Sequence, residues 1–167
     1  MAAPPKYALM EHERRFLVRR APALAGAGER LIEDLYLDAG RLRLRAVTDA
    51  ASGERTFKLC KKYGSEDPIS EPVTNLYLTA EEHAALAGLP GAAVRKRRFS
   101  VDGVGLDVFE GALCGLMICE AEAGSREAIL ARAFPAWCDR EVTADPRFSG
   151  AALARLDAAA LARLLAS

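Results

Sequence analysis

Charged side chains recur at every second position of one strand-like segment after another, and this alternation narrows the possible folds more than any other feature of the chain. Successive side chains of an extended strand point to opposite faces, so residues two apart share a face. Glu11, Glu13 and Arg15 therefore stand together, ahead of the apolar run Phe16-Leu17-Val18. Arg41, Arg43 and Arg45 alternate with Leu42 and Leu44, and Lys58 sits between Phe57 and Leu59. Lys96 and Arg98 precede Phe99, Asp107 lies between Leu106 and Val108, and Glu120 and Glu122 flank Ala121. One such segment is an edge strand carrying solvated ion pairs. Several of them need a shared, wet and ionic interior.

Strand patterns cover 7–18, 31–37, 41–47, 54–62, 69–78, 94–101, 105–109 and 116–123, with turn signals such as Asp102-Gly103 between them. The early ones read as a meander. Thr79-Ala80-Glu81-Glu82 is a capping box that opens a helix ending near Gly88 and Pro90. Segments 125–134 and 150–166 are rich in alanine and leucine at helical spacing, which predicts helices packed outside the sheet. The fold class is α+β, with antiparallel strands closed into a barrel, because closure removes edges and encloses an interior. Leu42, Leu44, Phe57, Leu59, Leu106, Val108 and Ala121 then face outwards. A charged interior must hold water, ligand or metal to offset desolvation.

A chain of 167 residues suits one domain, with strands over about 6–123 and a helical region over about 125–167. Its 23 basic and 23 acidic residues give no net field to attract a nucleic acid polymer or an anionic membrane, so neither partner is expected. The four cysteines lack zinc-finger or thioredoxin spacing, and no apolar run reaches the length of a membrane span. Reduced thiols and a cytoplasmic location follow as expectations. His12 has the opposite parity to Glu11 and Glu13, and His83 lies on the surface of the predicted helix. With no nucleophile-elbow serine beside them, serine–histidine hydrolysis is excluded. Cys119, Tyr77 and Trp137 read as packing residues.

Converging arginines and lysines suit a polyanion, since guanidinium forks bind phosphate oxygens bidentately and ammonium groups add compact charge. Paired carboxylates suit a hard divalent cation, and Mg²⁺ or Mn²⁺ reconciles the two signs by bridging carboxylate and phosphate oxygens.

These residues, taken in order, resemble the CYTH or triphosphate tunnel metalloenzyme superfamily. Glu11-x-Glu13-x-Arg15 is similar to its first signature. Tyr36-Leu37 with Arg41 to Arg45, Phe57-Lys58-Leu59, Lys96-x-Arg98-Phe99, Leu106-Asp107-Val108-Phe109, Glu120-x-Glu122 and the stretch from Glu141 to Phe148 resemble its later blocks. The resemblance implies an eight-stranded antiparallel β-tunnel, with helices outside, that binds a small-molecule triphosphate with Mg²⁺ or Mn²⁺. It implies Glu11, Glu13, Glu120 and Glu122 as metal-binding catalytic carboxylates, one of them helping to position the attacking water. Arg15, Arg43, Arg45, Lys58, Lys96 and Arg98 would hold phosphates, and Arg147 would guard a tunnel mouth. Asp107 would orient a basic neighbour or join the metal shell, with Arg41 and Glu71 in support. The sequence departs from the pattern in three places: Glu71 alone represents the acidic alternation of segment 69–78, Gly105 replaces an acidic residue, and Arg15 replaces a lysine.

The leading expectation is metal-dependent hydrolysis of inorganic tripolyphosphate by a monomer or homodimer. Class IV adenylyl cyclase, thiamine or nucleoside triphosphatase, and a non-catalytic polyphosphate-binding module are the alternatives.

Overall fold

The computed structural model describes residues 5–38 and 40–166; residues 1–4, Ala39 of the turn expected at 38–40, and Ser167 lie outside it. Among the described residues eight strands follow one another: β1 (Leu9–Leu17), β2 (Gly28–Leu37), β3 (Leu42–Asp49), β4 (Arg55–Lys62), β5 (Ser70–Leu78), β6 (Gly91–Val101), β7 (Val104–Phe109) and β8 (Met117–Ala123). They close into an antiparallel barrel in the order β1-β5-β4-β3-β2-β6-β7-β8.

β2 to β5 form the expected meander, but β1 does not continue it. β1 pairs instead with β5 and β8, setting Glu11 opposite Glu71, Glu13 opposite Glu122 and Arg15 opposite Glu120. The chain must cross from β1 to β2 before the meander starts, which leaves β1 to seal the barrel between its last meander strand and β8. Glu120 and Glu122 are therefore immediate neighbours of the first triplet.

Local chemistry accounts for several element ends. Thr79 accepts from the Glu82 amide at 3.2 Å while the Glu82 carboxylate accepts from the Thr79 amide at 2.8 Å, so the capping box opens α1 (Ala80–Leu86) as expected. Asp102 and Gly103 both adopt positive φ, 51° and 74°, as the tight turn between β6 and β7 requires.

The helices are α1, α2 (Arg126–Ala131), α3 (Gly150–Leu153) and α4 (Ala158–Leu165), all outside the barrel. The single helix expected over 150–166 is in fact two, because Asp157 breaks the run and caps α4, accepting from the Ala160 amide at 2.7 Å. No helix of the described residues is long and apolar enough to cross a membrane.

Two apolar layers hold the barrel. Outward-facing Phe99, Leu106, Cys119 and Ala121 pack with Ile129 of α2, as the alternation requires. The second layer lies at one end of the lumen, where inward-facing Val94, Phe109 and Ile118 meet Phe148, Leu153, Leu161 and Leu164. Each fully buried side chain of this size contributes about 1.5–3 kcal/mol, so the C-terminal helices stopper that end as well as flank it. The docking is tight at Gly150, where a Cβ would lie 1.8 Å from the Tyr36 hydroxyl and 2.6 Å from its ring carbon.

Gly150→Ala should therefore destabilise the fold by about 1–3 kcal/mol through overpacking. Denaturant melts should show that the same change adds almost nothing in a Tyr36→Ala background, because the clashing ring is gone.

Candidate active site

The inward face of the barrel lines a cavity of about 1680 Å³. Its wall contains Glu11, Glu13 and Arg15 from β1, Asp34 from β2, Arg43 and Arg45 from β3, and Lys58 and Lys62 from β4. Glu71 comes from β5, Lys96 and Arg98 from β6, and Glu120 and Glu122 from β8. Arg41 borders it from the turn before β3.

Strand order sorts these charges by sign. β8, β1 and β5 are neighbours and carry Glu122, Glu120, Glu11, Glu13 and Glu71, while β3, β2 and β6 are neighbours and carry Arg43, Arg45, Lys96 and Arg98. In a ring of eight strands those two triplets face each other. One wall is acidic and the opposite wall basic.

Two buried aspartates fix the basic wall. Asp34, 3 % exposed, accepts from Arg45 Nε at 2.6 Å and from Arg45 Nη2 at 2.8 Å, with Arg43 Nε at 3.8 Å. Burial favours its neutral form, but the bonds and charges of Arg45, Arg43 and Lys96 prevail and hold its pKa below the ordinary value. Asp107, fully buried, accepts from Arg98 Nε at 2.6 Å and Arg98 Nη2 at 2.7 Å and also bonds Lys96. Asp107 thus orients basic neighbours. Burial opposes the charge of Arg98 and of Arg43, yet their carboxylate neighbours raise both pKa values.

Not every donor is satisfied. Arg15 gives Nη1 to the Phe148 carbonyl at 2.9 Å, yet its Nε, like that of Arg43, is buried without a hydrogen-bond acceptor among the described residues. Each faces a carboxylate at ion-pair rather than hydrogen-bond distance, Arg15 Nε 3.5 Å from Glu13 and Arg43 Nε 3.8 Å from Asp34.

The acidic wall contains two unlike glutamates. Glu120 is bonded by Arg98; burial favours its neutral form, but Lys96, Arg98, Arg15 and Arg45 outweigh this and hold it well below the usual carboxylate range. Glu122, exposed by area, moves the other way, raised by partial desolvation within the lumen and by the charges of Glu11, Glu13 and Glu120. Among the described residues no three acidic, histidine or cysteine groups form a ready-made metal cage. The donors are nonetheless all carboxylate oxygens, the chemistry a hard divalent cation takes, and a cation already sits among them. Lys62 Nζ lies 3.3 Å from Glu71, 3.5 Å from Glu11 and 3.9 Å from Glu13. Desolvation works against its charge, but Glu13, Glu11 and Glu71 raise its pKa.

Arg147 stands apart from the other basic residues chosen from sequence. Its guanidinium pairs with Asp145 at 2.7 Å outside the cavity lining, because the short helical turn Pro146–Phe148 directs Phe148 inwards. Tyr77 does not pack: it is 72 % exposed on the cavity wall, with the Lys58 ammonium 4.8 Å from its ring centroid. Asp34 and Lys62 are the functional candidates that the sequence reading missed. Both carried a signal, since Asp34 shares parity with Tyr36, and Lys62 with Lys58.

No family model and no curated protein matches the chain. Among solved structures, it is similar to the crystal structure of the inorganic triphosphatase NE1496, at 30 % identity and a TM-score of 0.55, covering 86 % of this chain and 93 % of that one. A second crystal structure of NE1496, there called a hypothetical protein, is similar at 28 % identity and a TM-score of 0.57, covering 88 % and 99 %.

Asp34→Asn should destabilise the protein by about 3–5 kcal/mol, because the Arg45 charge stays buried without its partner. The contribution of Asp34 is complete above its unfolded pKa of about 3.9 and is lost as pH falls through the lower folded value. Stability curves of the two proteins should therefore converge at the acid end, and parallel curves there would contradict this assignment.

Proposed function

Because the chain belongs to the CYTH or triphosphate tunnel metalloenzyme superfamily, we propose that it hydrolyses a triphosphate in its charged barrel, with inorganic tripolyphosphate the leading substrate. The observation that carries this reading is the opposition of an acidic and a basic wall within one closed lumen.

Arg43, Arg45, Lys58, Lys96 and Arg98 bind the phosphate oxygens, with Arg15 reaching the same chain from the acidic side. Asp34 and Asp107 hold Arg45, Lys96 and Arg98 before substrate arrives, so no reorganisation is needed as charge shifts to the leaving oxygens. Glu11 and Glu13, with Glu120 and Glu122 on the paired strand, would hold Mg²⁺ or Mn²⁺. That cation supplies neutralising charge between the carboxylates and the phosphate. One of these carboxylates would help to position the attacking water. Water oxygen bonds to the terminal phosphorus, the bridging P–O bond breaks, and pyrophosphate and phosphate leave.

Tyr77 favours a second reading, in which the triphosphate carries an organic group. An exposed ring on the wall beside Lys58 offers a stacking surface that inorganic tripolyphosphate does not need.

Purified protein with tripolyphosphate and Mg²⁺ or Mn²⁺ should release phosphate, and the Glu11→Ala/Glu13→Ala double variant should lose at least about 100-fold in turnover. Turnover no greater than that of the double variant would sink the hydrolase reading. Under the organic-substrate reading, Tyr77→Ala should raise KM for ATP several-fold and leave KM for tripolyphosphate unchanged; equal effects on both would remove it.

A further inference from the structure

Lys62 is unused by the reaction just described, yet it occupies the most crowded part of the acidic wall. It closes β4, and its ammonium contacts carboxylates from two other strands, Glu11 and Glu13 of β1 and Glu71 of β5. An ammonium has three donors and no acceptor, which matches three surrounding acceptors. Glu71 is held from behind as well, its other oxygen accepting from the Gly64 amide at 2.8 Å. The register also sets Glu13 opposite Glu122, so a further negative group borders the cluster.

One positive charge cannot balance three carboxylates. A divalent cation balances them better, and its position would be the one Lys62 now fills. Lysine suits a reversible role there, because its charge rides on a flexible four-carbon stem, whereas a guanidinium fork would lock on to the carboxylates. The lumen offers the ammonium a second destination, since triphosphate oxygens bound to the facing wall would be new acceptors.

We propose that Lys62 is a tethered counter-ion that holds the place of the divalent cation at Glu11 and Glu13, steadied there by Glu71, and yields it when triphosphate enters. This rests on the divalent-cation reading above. It makes metal binding weak in the free protein and couples it to substrate. By linkage, the metal and the triphosphate each strengthen binding of the other by the same factor, in the range of about 5–150-fold for such couplings. Lys62 acts through the carboxylates and is a positioning residue.

The test is a Mn²⁺ titration of the free protein, followed by the loss of the free-ion signal in electron paramagnetic resonance. Lys62→Met and Lys62→Gln should each bind Mn²⁺ at least tenfold more tightly than wild type, Lys62→Arg should not, and Glu11→Gln should abolish the gain. Thermal melts of the same samples confirm folding. Wild-type binding that is lost in Glu11→Gln, with no gain in either neutral Lys62 variant, would overturn this inference and leave the metal site standing. Absence of Mn²⁺ binding from every form would overturn both.

Discussion

Opposition of unlike charges across a closed ring is the constraint on which the rest of this structure depends. An open sheet would leave the charged faces in water, where ion pairs contribute little. Closure places the glutamates of β8, β1 and β5 opposite the arginines and lysine of β3, β2 and β6, in a lumen where each charge is partly desolvated. Such a lumen is stable only if its most buried charges are paired. Asp34 and Asp107 meet that requirement by bonding Arg45, Arg98 and Lys96, and they do so within the strand ladder, since Asp34 is in register with Arg45 and Asp107 with Arg98. With its interior given to charge, the barrel draws apolar packing from elsewhere. The outer faces pack against α2, and the C-terminal helices fill one end of the lumen.

The alternation that directs Glu11, Arg43, Lys58, Lys96 and Glu120 into one cavity was legible because strand parity is a local property: once the strands are known, the faces follow. Neighbour relations are not local. Nothing in the Glu11 to Arg15 segment says that it pairs with β8 rather than β2, so the sequence shows which carboxylates face inwards but not that Glu13 stands beside Glu122. The same limit hid Lys62, whose meaning depends on β5 lying next to β4 and β1 next to β5. Asp34 was hidden because nothing in its own segment shows that it meets Arg45 across the β2–β3 ladder. The break in the last helix was readable, because Asp157 is a capping residue, but alanine and leucine spacing on both sides masked it.

Similar residue types end in different states because their surroundings differ. Arg45 and Arg98 are held bidentately and enter the reaction already oriented. Arg15 and Arg43 are held at longer ion-pair distances, 3.5 Å from Glu13 and 3.8 Å from Asp34, and so are less fixed by their carboxylates. The lumen thus combines guanidinium groups set firmly by aspartates with others held more loosely. Firmly set donors favour the developing charge of a transition state, because they need no reorganisation.

The glutamates divide in the same way. Glu120 and Glu122 are two residues apart on one strand and share a face, so sequence gives no reason to separate them. Their neighbours do. Arg15 lies opposite Glu120 and Arg98 bonds it, which keeps it ionised and engaged, whereas Glu13 lies opposite Glu122 and raises its affinity for a proton. Two carboxylates with different neighbours meet an incoming cation differently, one already engaged by a guanidinium and the other set against a like charge. Strand order brings Lys96 and Arg98 to Glu120, and register adds to the difference: a shift of β1 by two residues along β8 would set Glu13 against Glu120 and leave Arg15 beyond it. Pairing order and register, which set no side chain's identity, therefore decide what each identical side chain can do.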